Sequence, residues 1–289
     1  MRKPITISLM AVLLVSIFTG CSNAPDGFDK AHAISVISRE DGSGTRGAFI
    51  ELFGIEVKGD DGSRKDMTTK EAVIAKQTDV MITNITNDKY AIGYVSLGSL
   101  NDTVASVNID GVAASQANVM NGSYPIVRLF NIATKGEASG LAQDFVEFIL
   151  STEGQEIIGK SYIASVDDAV PYSGTKPSGS LMIAGSSSVA PIMEKLVEAY
   201  AVVNPQASMQ LQASDSSGGL IALREGICDI AMSSRALSAS ESEDLVGIQI
   251  ALDGIAVIVN KENPAQLLSK DQVKSIFTGT AVAWSSVVS

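Results

Sequence analysis

Ser38-Arg39-Glu40-Asp41-Gly42-Ser43-Gly44-Thr45-Arg46 is the stretch that decides how this chain is read. A short apolar run at 34–37 precedes it, and a second apolar stretch at 48–53 follows. The first has the length of a strand and the second opens a helix, so the polar stretch joins strand to helix. The same design recurs at 181–200, around Gly185-Ser186-Ser187-Ser188. It recurs again at 209–224, around Ser214-Asp215-Ser216-Ser217-Gly218-Gly219.

The first turn of a helix leaves backbone N–H groups without partners, and their partial positive charge stabilises an oxyanion. Glycine and serine let a ligand approach the backbone, and hydroxyls add donors without bulk. Arg39 adds a planar guanidinium that matches two oxygens of a tetrahedral anion. Taken singly, each loop is more readily an ordinary helix cap than a ligand site. Three in one chain, one of them with arginine and aspartate, point to an oxyanion site.

The chain has 289 residues, 45% hydrophobic and 18% charged, enough for one or two ordinary cores. Its net charge is −11 and it has no Lys/Arg cluster, so nucleic acid is not an expected partner. An acidic protein still binds an anion where local dipoles and one or two arginines are placed for it. The G-x-x-x-x-G-K-[ST] run of a nucleotidase is absent from the sequence. The one histidine, His32, lies outside the three loops, which argues against a Ser-His-Asp hydrolase. A Ser-Lys enzyme stays open on composition, but no S-x-x-K run opens any of these helices. A scaffold would leave the three cradles without a purpose. No metal or cofactor is expected, and Cys228 reads as a small buried thiol.

Arg2 and Lys3 precede an apolar run at 5–18, too short for a spanning helix and suited to a signal peptide. Phe18-Thr19-Gly20-Cys21 is similar to a lipobox, with Phe18 where leucine is usual. Residues 1–21 are therefore expected to be a lipoprotein signal peptide, Cys21 the lipidated residue, and 22–32 a polar tether. The rest alternates short strands with helices, an α/β pattern. Strands are expected at 34–37, 92–95, 126–132, 181–184, 209–212 and 255–259. Helices are expected from 48, and over 69–78, 141–160, 190–201, 219–224 and 270–277. Residues 59–68 read as a loop, and the Pro/Gly/Ser-rich 165–180 as a linker.

The run Arg39-Glu40-Asp41-Gly42-Ser43-Gly44-Thr45 strongly resembles the signature of the PstS-like phosphate-binding proteins of ABC importers. Gly185-Ser-Ser-Ser-Val-Ala-Pro191, Ser216-Ser-Gly-Gly219, Asp229-Ile-Ala-Met-Ser-Ser-Arg235 and Ile276-Phe-Thr-Gly279 with Trp284 are similar to further segments of that family. The resemblance implies a two-lobed α/β periplasmic-binding-protein fold (type II) with the ligand cleft between lobes. It implies high-affinity binding of inorganic phosphate, delivery to an ABC permease, a lipid anchor on the extracytoplasmic face of the cell membrane, and no catalysis. Sulfate, molybdate, an anion sensor or a phosphatase-like enzyme are the alternatives.

The order of the segments differs from the family's, so the chain resembles a circular permutant. The 165–180 linker would join the usual end to the usual start, which is tolerated where termini lie close together. A fragment of a tandem gene or a swapped pair would also fit. One lobe is expected to use 33–125 plus 261–289, and the other 126–260. By the same resemblance, Arg39, Ser43, Gly44, Thr45, Ser187, Ser188 and Ser216 contact the anion, and Asp41 holds Arg39. The family's proton-accepting aspartate, which rejects sulfate, is replaced by Ser234, with Asp215 or Asp41 as possible substitutes.

Overall fold

The computed structural model describes residues 27–59 and 63–288. The signal-peptide segment and Cys21 lie outside them. The chain begins with β1 (Ser35–Arg39) and α1 (Gly44–Leu52). A hairpin, β2 (Glu56–Lys58) and β3 (Arg64–Asp66), precedes β4 (Val73–Ala75), α2 (Thr78–Asn87) and β5 (Ala91–Ser96). Next come β6 (Val104–Ser106), β7 (Asn108–Ile109), α3 (Gln116–Met120) and β8 (Val127–Lys135). After α4 (Gly140–Leu150), α5 (Thr152–Gly159) and β9 (Ile163–Ala164) follow β10 (Gly179–Ser186), α6 (Ala190–Val203), β11 (Ala207–Ser214) and α7 (Ser216–Arg224). The chain closes with β12 (Ile230–Ser233), β13 (Leu245–Asn260), β14 (Leu267–Leu268) and α8 (Lys270–Phe277).

One hydrogen-bonded path runs β11-β10-β12-β8-β13-β5-β1-β4. The strand β13 holds it together, pairing with β8 along its first part and with β5 along its second. Its side chains alternate between two covered faces. Ile255, Val257 and Val259 pack with Phe49, Phe277 and Trp284, while Ala256 and Ile258 pack with Met81 and Ile85 of α2. The same alternation holds at the other end, where Ile230 and Met232 face α6 and Ala231 faces α7. Strands buried on both faces read as unbroken apolar runs, which is why 255–259 carries no polar residue.

The apolar clusters separate into two groups. Residues from Val36 to Ile126 pack with residues from Ile255 to Val287, while Phe130 to Ala251 pack among themselves. The chain passes between the groups at 127–130 and again at 251–255. Residues 252–260, assigned from sequence to the second lobe, therefore divide, and Ile255, Val257 and Val259 sit in the first. Helix α8 and Trp284 also belong to the first group, and the Ile34 N–H donates to the Val282 carbonyl at 2.9 Å. The Trp284 indole N–H donates to the Tyr90 carbonyl, and the Phe28 ring meets Trp284 edge-on. Residues 27–32 are thus partly packed rather than a free tether, because two aromatic rings cover one another there.

Three expected elements differ. The helix expected at 69–78 is strand β4, paired in parallel with β1, and the helix starts only at Thr78. Pairing along the sheet edge overrides the helical pattern, and Val73 and Ile74 are β-branched. The helix expected at 141–160 breaks at Ser151, whose hydroxyl accepts the Gly154 N–H and starts α5. The expected loop at 59–68 contains β3.

The 165–178 linker is docked. Asp144, 3% exposed, accepts from the Tyr172 and Tyr200 hydroxyls and from the Lys176 N–H. Burial pushes its carboxyl up, but those hydrogen bonds outweigh it and hold the group below the ordinary carboxylate range. Replacing Asp144 by alanine leaves two tyrosine hydroxyls short of an acceptor. That is expected to lower unfolding free energy by about 2–4 kcal/mol at neutral pH, read by chemical denaturation. The lowered pKa means this contribution is present above the unfolded carboxylate value and fades as pH falls through the folded one. The difference between wild type and variant should shrink below about pH 4.

Candidate functional site

Four helix starts meet between the two groups of elements. Those of α1 and α2 come from the first group, and those of α6 and α7 from the second. Thr45, in the first turn of α1, shares a 2.8 Å hydrogen bond with Ser188, just before α6. Thr78, the first residue of α2, lies 3.3 Å from both Ser187 and Ser188. The Ser217 N–H donates across the cleft to the Gly42 carbonyl at 3.2 Å. Gly44 brings α1 so close to α7 that a β-carbon there would lie 2.6 Å from Ser216 Oγ and 2.7 Å from Ser234 Oγ.

Arg39 is the central charge, 2% exposed. Glu40 grips it in a two-pronged fork, accepting from Nε at 2.8 Å and from Nη2 at 2.7 Å. Nη2 also donates to Ser187 at 3.1 Å, Nη1 to Thr78 at 3.3 Å, and Nε to the Ala75 carbonyl. The Arg39 N–H donates to the Tyr94 hydroxyl, whose burial raises its pKa and keeps it a neutral partner. These partners fix the guanidinium in one orientation.

The hydroxyls expected from sequence gather here. Ser43 caps α1, accepting the Arg46 N–H. Ser216 and Ser234 are fully buried, their hydroxyls 3.3 Å apart, and Ser216 Oγ accepts the Ser234 N–H. Asp41 does not do what was expected. Its side chain is 96% exposed and pairs with Arg46 at 2.7 Å, so Glu40 is the residue that holds Arg39. The backbone leaves β1 at Arg39 and turns toward the Ser43 cap, which sends Asp41 outward. An exposed ion pair is worth about 0–1 kcal/mol. Asp41→Asn is therefore expected to leave anion affinity within about twofold by calorimetry, whereas Glu40→Gln lowers it more than tenfold.

The substitute acceptors are also committed. Asp215 caps α7, accepting the Gly218 N–H at 2.8 Å, and Asp41 is bound to Arg46. Arg235 is drawn aside by Glu241, whose pKa it lowers to about 2. Three further residues contact those expected from sequence: Glu40 and Thr78 meet Arg39, and Arg128 meets Thr45. Arg128 donates from Nη1 to Thr45 Oγ1 at 2.6 Å and pairs with buried Asp253 at 2.9 Å.

Buried hydroxyls from two lobes, converging helix starts and a fixed guanidinium define a cleft-type binding protein for a small anion. The pattern of the PBP superfamily domain matches residues 4–153 and 170–288. The phosphate-binding protein PstS 2 of Streptococcus agalactiae is 46% identical over 99% of both chains. PstS 2 of Streptococcus pneumoniae serotype 4 is 43% identical, covering 88% of this chain and 87% of that one. A crystal structure of a phosphate-binding protein of a phosphate ABC transporter from Streptococcus pneumoniae TIGR4 superposes with a TM-score of 0.69. It is 42% identical and covers 88% of this chain and 99% of that one. The chain belongs to the PBP superfamily and, within it, to the family of the PstS phosphate-binding proteins.

Proposed function

We propose that this protein binds inorganic phosphate in the cleft and delivers it to an ABC-type importer, a reading supported by relatives named as a phosphate-binding protein and as the phosphate-binding protein of a phosphate ABC transporter. The observation that carries the reading is Arg39, held by Glu40 on one lobe while its Nη2 reaches Ser187 on the other. Thr45, Ser188, Ser216 and Ser234, with the first turns of α1 and α7, supply the remaining donors. Binding draws the lobes together around the 127–130 and 251–255 passages, a hinge closure. The hydroxyls of Thr45, Thr78, Ser187 and Ser188 pair with one another and with the guanidiniums of Arg39 and Arg128, an arrangement suited to holding the anion.

Within the described residues the lobes would be 33–59 and 63–126 plus 254–288, and 129–251. The separate grouping of the apolar clusters supports that division. Placement of Ile34 beside Val282, and of the docked 165–178 linker, supports a circularly permuted segment order. Cys21 would carry a lipid that holds the protein on the extracytoplasmic face. Among the described residues no helix is long and apolar enough to cross a membrane.

Each carboxylate named at the site already has a donor: Glu40 from Arg39, Asp215 from Gly218, and Asp253 from Arg128. With these carboxylates each held by a donor and a serine at position 234, sulfate is rejected less strongly than where an aspartate stands there. Melting curves with phosphate and with sulfate test the reading, because a ligand of the folded state raises the melting temperature. Phosphate should raise it most and sulfate detectably. A shift with neither anion, or release of phosphate from a phosphomonoester, contradicts it.

A further inference from the structure

Arg128 and Asp253 are the directly paired residues of β8 and β13, at the two points where the chain passes between the groups. Both are buried, 5% and 1% exposed. Asp253 Oδ2 accepts from Arg128 Nε at 2.9 Å, and Oδ1 accepts from the Ser96 hydroxyl. Burial lowers the Arg128 guanidinium and raises the Asp253 carboxyl, and their pairing opposes both shifts. An arginine stays charged in a protein, so the pair remains ionic.

A purely structural pair at a hinge would use every N–H of the guanidinium within the pair and its surroundings. This one does not. Nη1 leaves the carboxylate and donates to Thr45 Oγ1 at 2.6 Å. Nη2 lies 2.9 Å from Asp253 Oδ2, yet its N–H groups have no aligned acceptor. Arg128 also borders the interlobe groove with Gly47, Ala48 and Arg235. Leaving a buried charged donor unmatched is costly, so it signals an absent acceptor. The contact to Thr45 has a further effect. Because Thr45 Oγ1 accepts from Arg128, its single proton is free to be donated into the cleft, where it now meets Ser188.

We propose that Arg128 is a second guanidinium of the anion site, presenting Nη2 to the bound oxyanion and orienting the Thr45 hydroxyl toward it, with Asp253 as its positioning residue. Set at the passage between lobes, Arg128 forms the floor of the site and meets the anion whether the lobes are apart or closed. The inference rests on the phosphate-binding reading above.

Removing one partner alone leaves a buried charge and threatens the fold. The decisive variant is therefore the double change Arg128→Met with Asp253→Leu, since an apolar replacement of both partners is often neutral for stability. Phosphate affinity is measured by calorimetry on the wild type and the double variant, with melting temperature as the check on folding. A wild-type melting temperature with affinity reduced about 30-fold or more supports the inference. Affinity within threefold of wild type, with the fold intact, overturns it. Arg128→Lys is the second variant: it keeps the charge beside Asp253 but loses the fork. It is expected to fold and to lose about tenfold in affinity, and unchanged affinity there also overturns the inference. A wild-type chain that ignores phosphate overturns the functional reading itself, and so separates the two failures.

Discussion

Replacing Arg39 by methionine is expected to weaken phosphate binding about 100-fold or more, the loss of a buried charged donor. Two effects add. The anion loses the guanidinium that carries its charge, and Glu40 loses the cation that holds it. The freed Glu40 carboxylate is then left without its cation beside the site and opposes an incoming anion. Lysine at 39 does not restore affinity, because an ammonium cannot serve Glu40, Thr78 and Ser187 together. Some stability is lost as well, since one partner of a largely buried pair is removed. Calorimetry and denaturant melts on the same samples separate the two losses. Affinity within threefold of wild type in either variant contradicts the placement of Arg39 at the centre of the site.

Gly44→Ala is expected to have the opposite profile, with binding lost and the fold kept. Gly44 opens α1 with ordinary helical backbone, so alanine costs nothing there and gains a little helix propensity. The new methyl group would lie 2.6 Å from Ser216 Oγ, 2.7 Å from Ser234 Oγ and 3.1 Å from the Arg235 side chain, all on the other lobe. Either the two serines turn away from the cleft or the lobes fail to close. Both outcomes take donors from the anion, and affinity should fall by about tenfold to 100-fold with an unchanged melting temperature. A lower melting temperature with normal affinity would place the contact inside one lobe instead of between two.

The parts of the site that could be read from the chain were those whose chemistry is local. A strand, a run of Ser, Gly and Thr, and a helix form an oxyanion cradle from consecutive residues, so the loop and Arg39 are legible locally, while the roles of Ser43, Gly44 and Thr45 follow from the family resemblance. What escaped depends on distant contacts. Glu40 and Asp41 are adjacent carboxylates, and only the turn after β1 decides which faces Arg39 and which meets Arg46. Thr78 is hidden in the sequence because 69–78 reads as one helix, whereas the parallel pairing of Val73–Ala75 with β1 moves the helix start to Thr78. Arg128 did leave a trace. A charged residue inside the apolar run 126–132 needs a buried partner, and Asp253 stands inside another apolar strand. Those two charges in core strands were a legible pair, unlike their reach to Thr45. The break at Ser151 was legible too, since serine before Thr-Glu-Gly is a helix start as readily as a helix interior.

The central claim is that one tetrahedral oxyanion binds between the lobes and is gripped from both. Calorimetric titration of the purified protein with inorganic phosphate, repeated on Arg39→Met and Gly44→Ala, tests it most directly. The account predicts one phosphate per chain for the wild type and at least tenfold weaker binding in both variants, one altered on the guanidinium and one only at the lobe contact. Absence of phosphate binding by the folded wild type, or equal affinity in all three proteins, would contradict it.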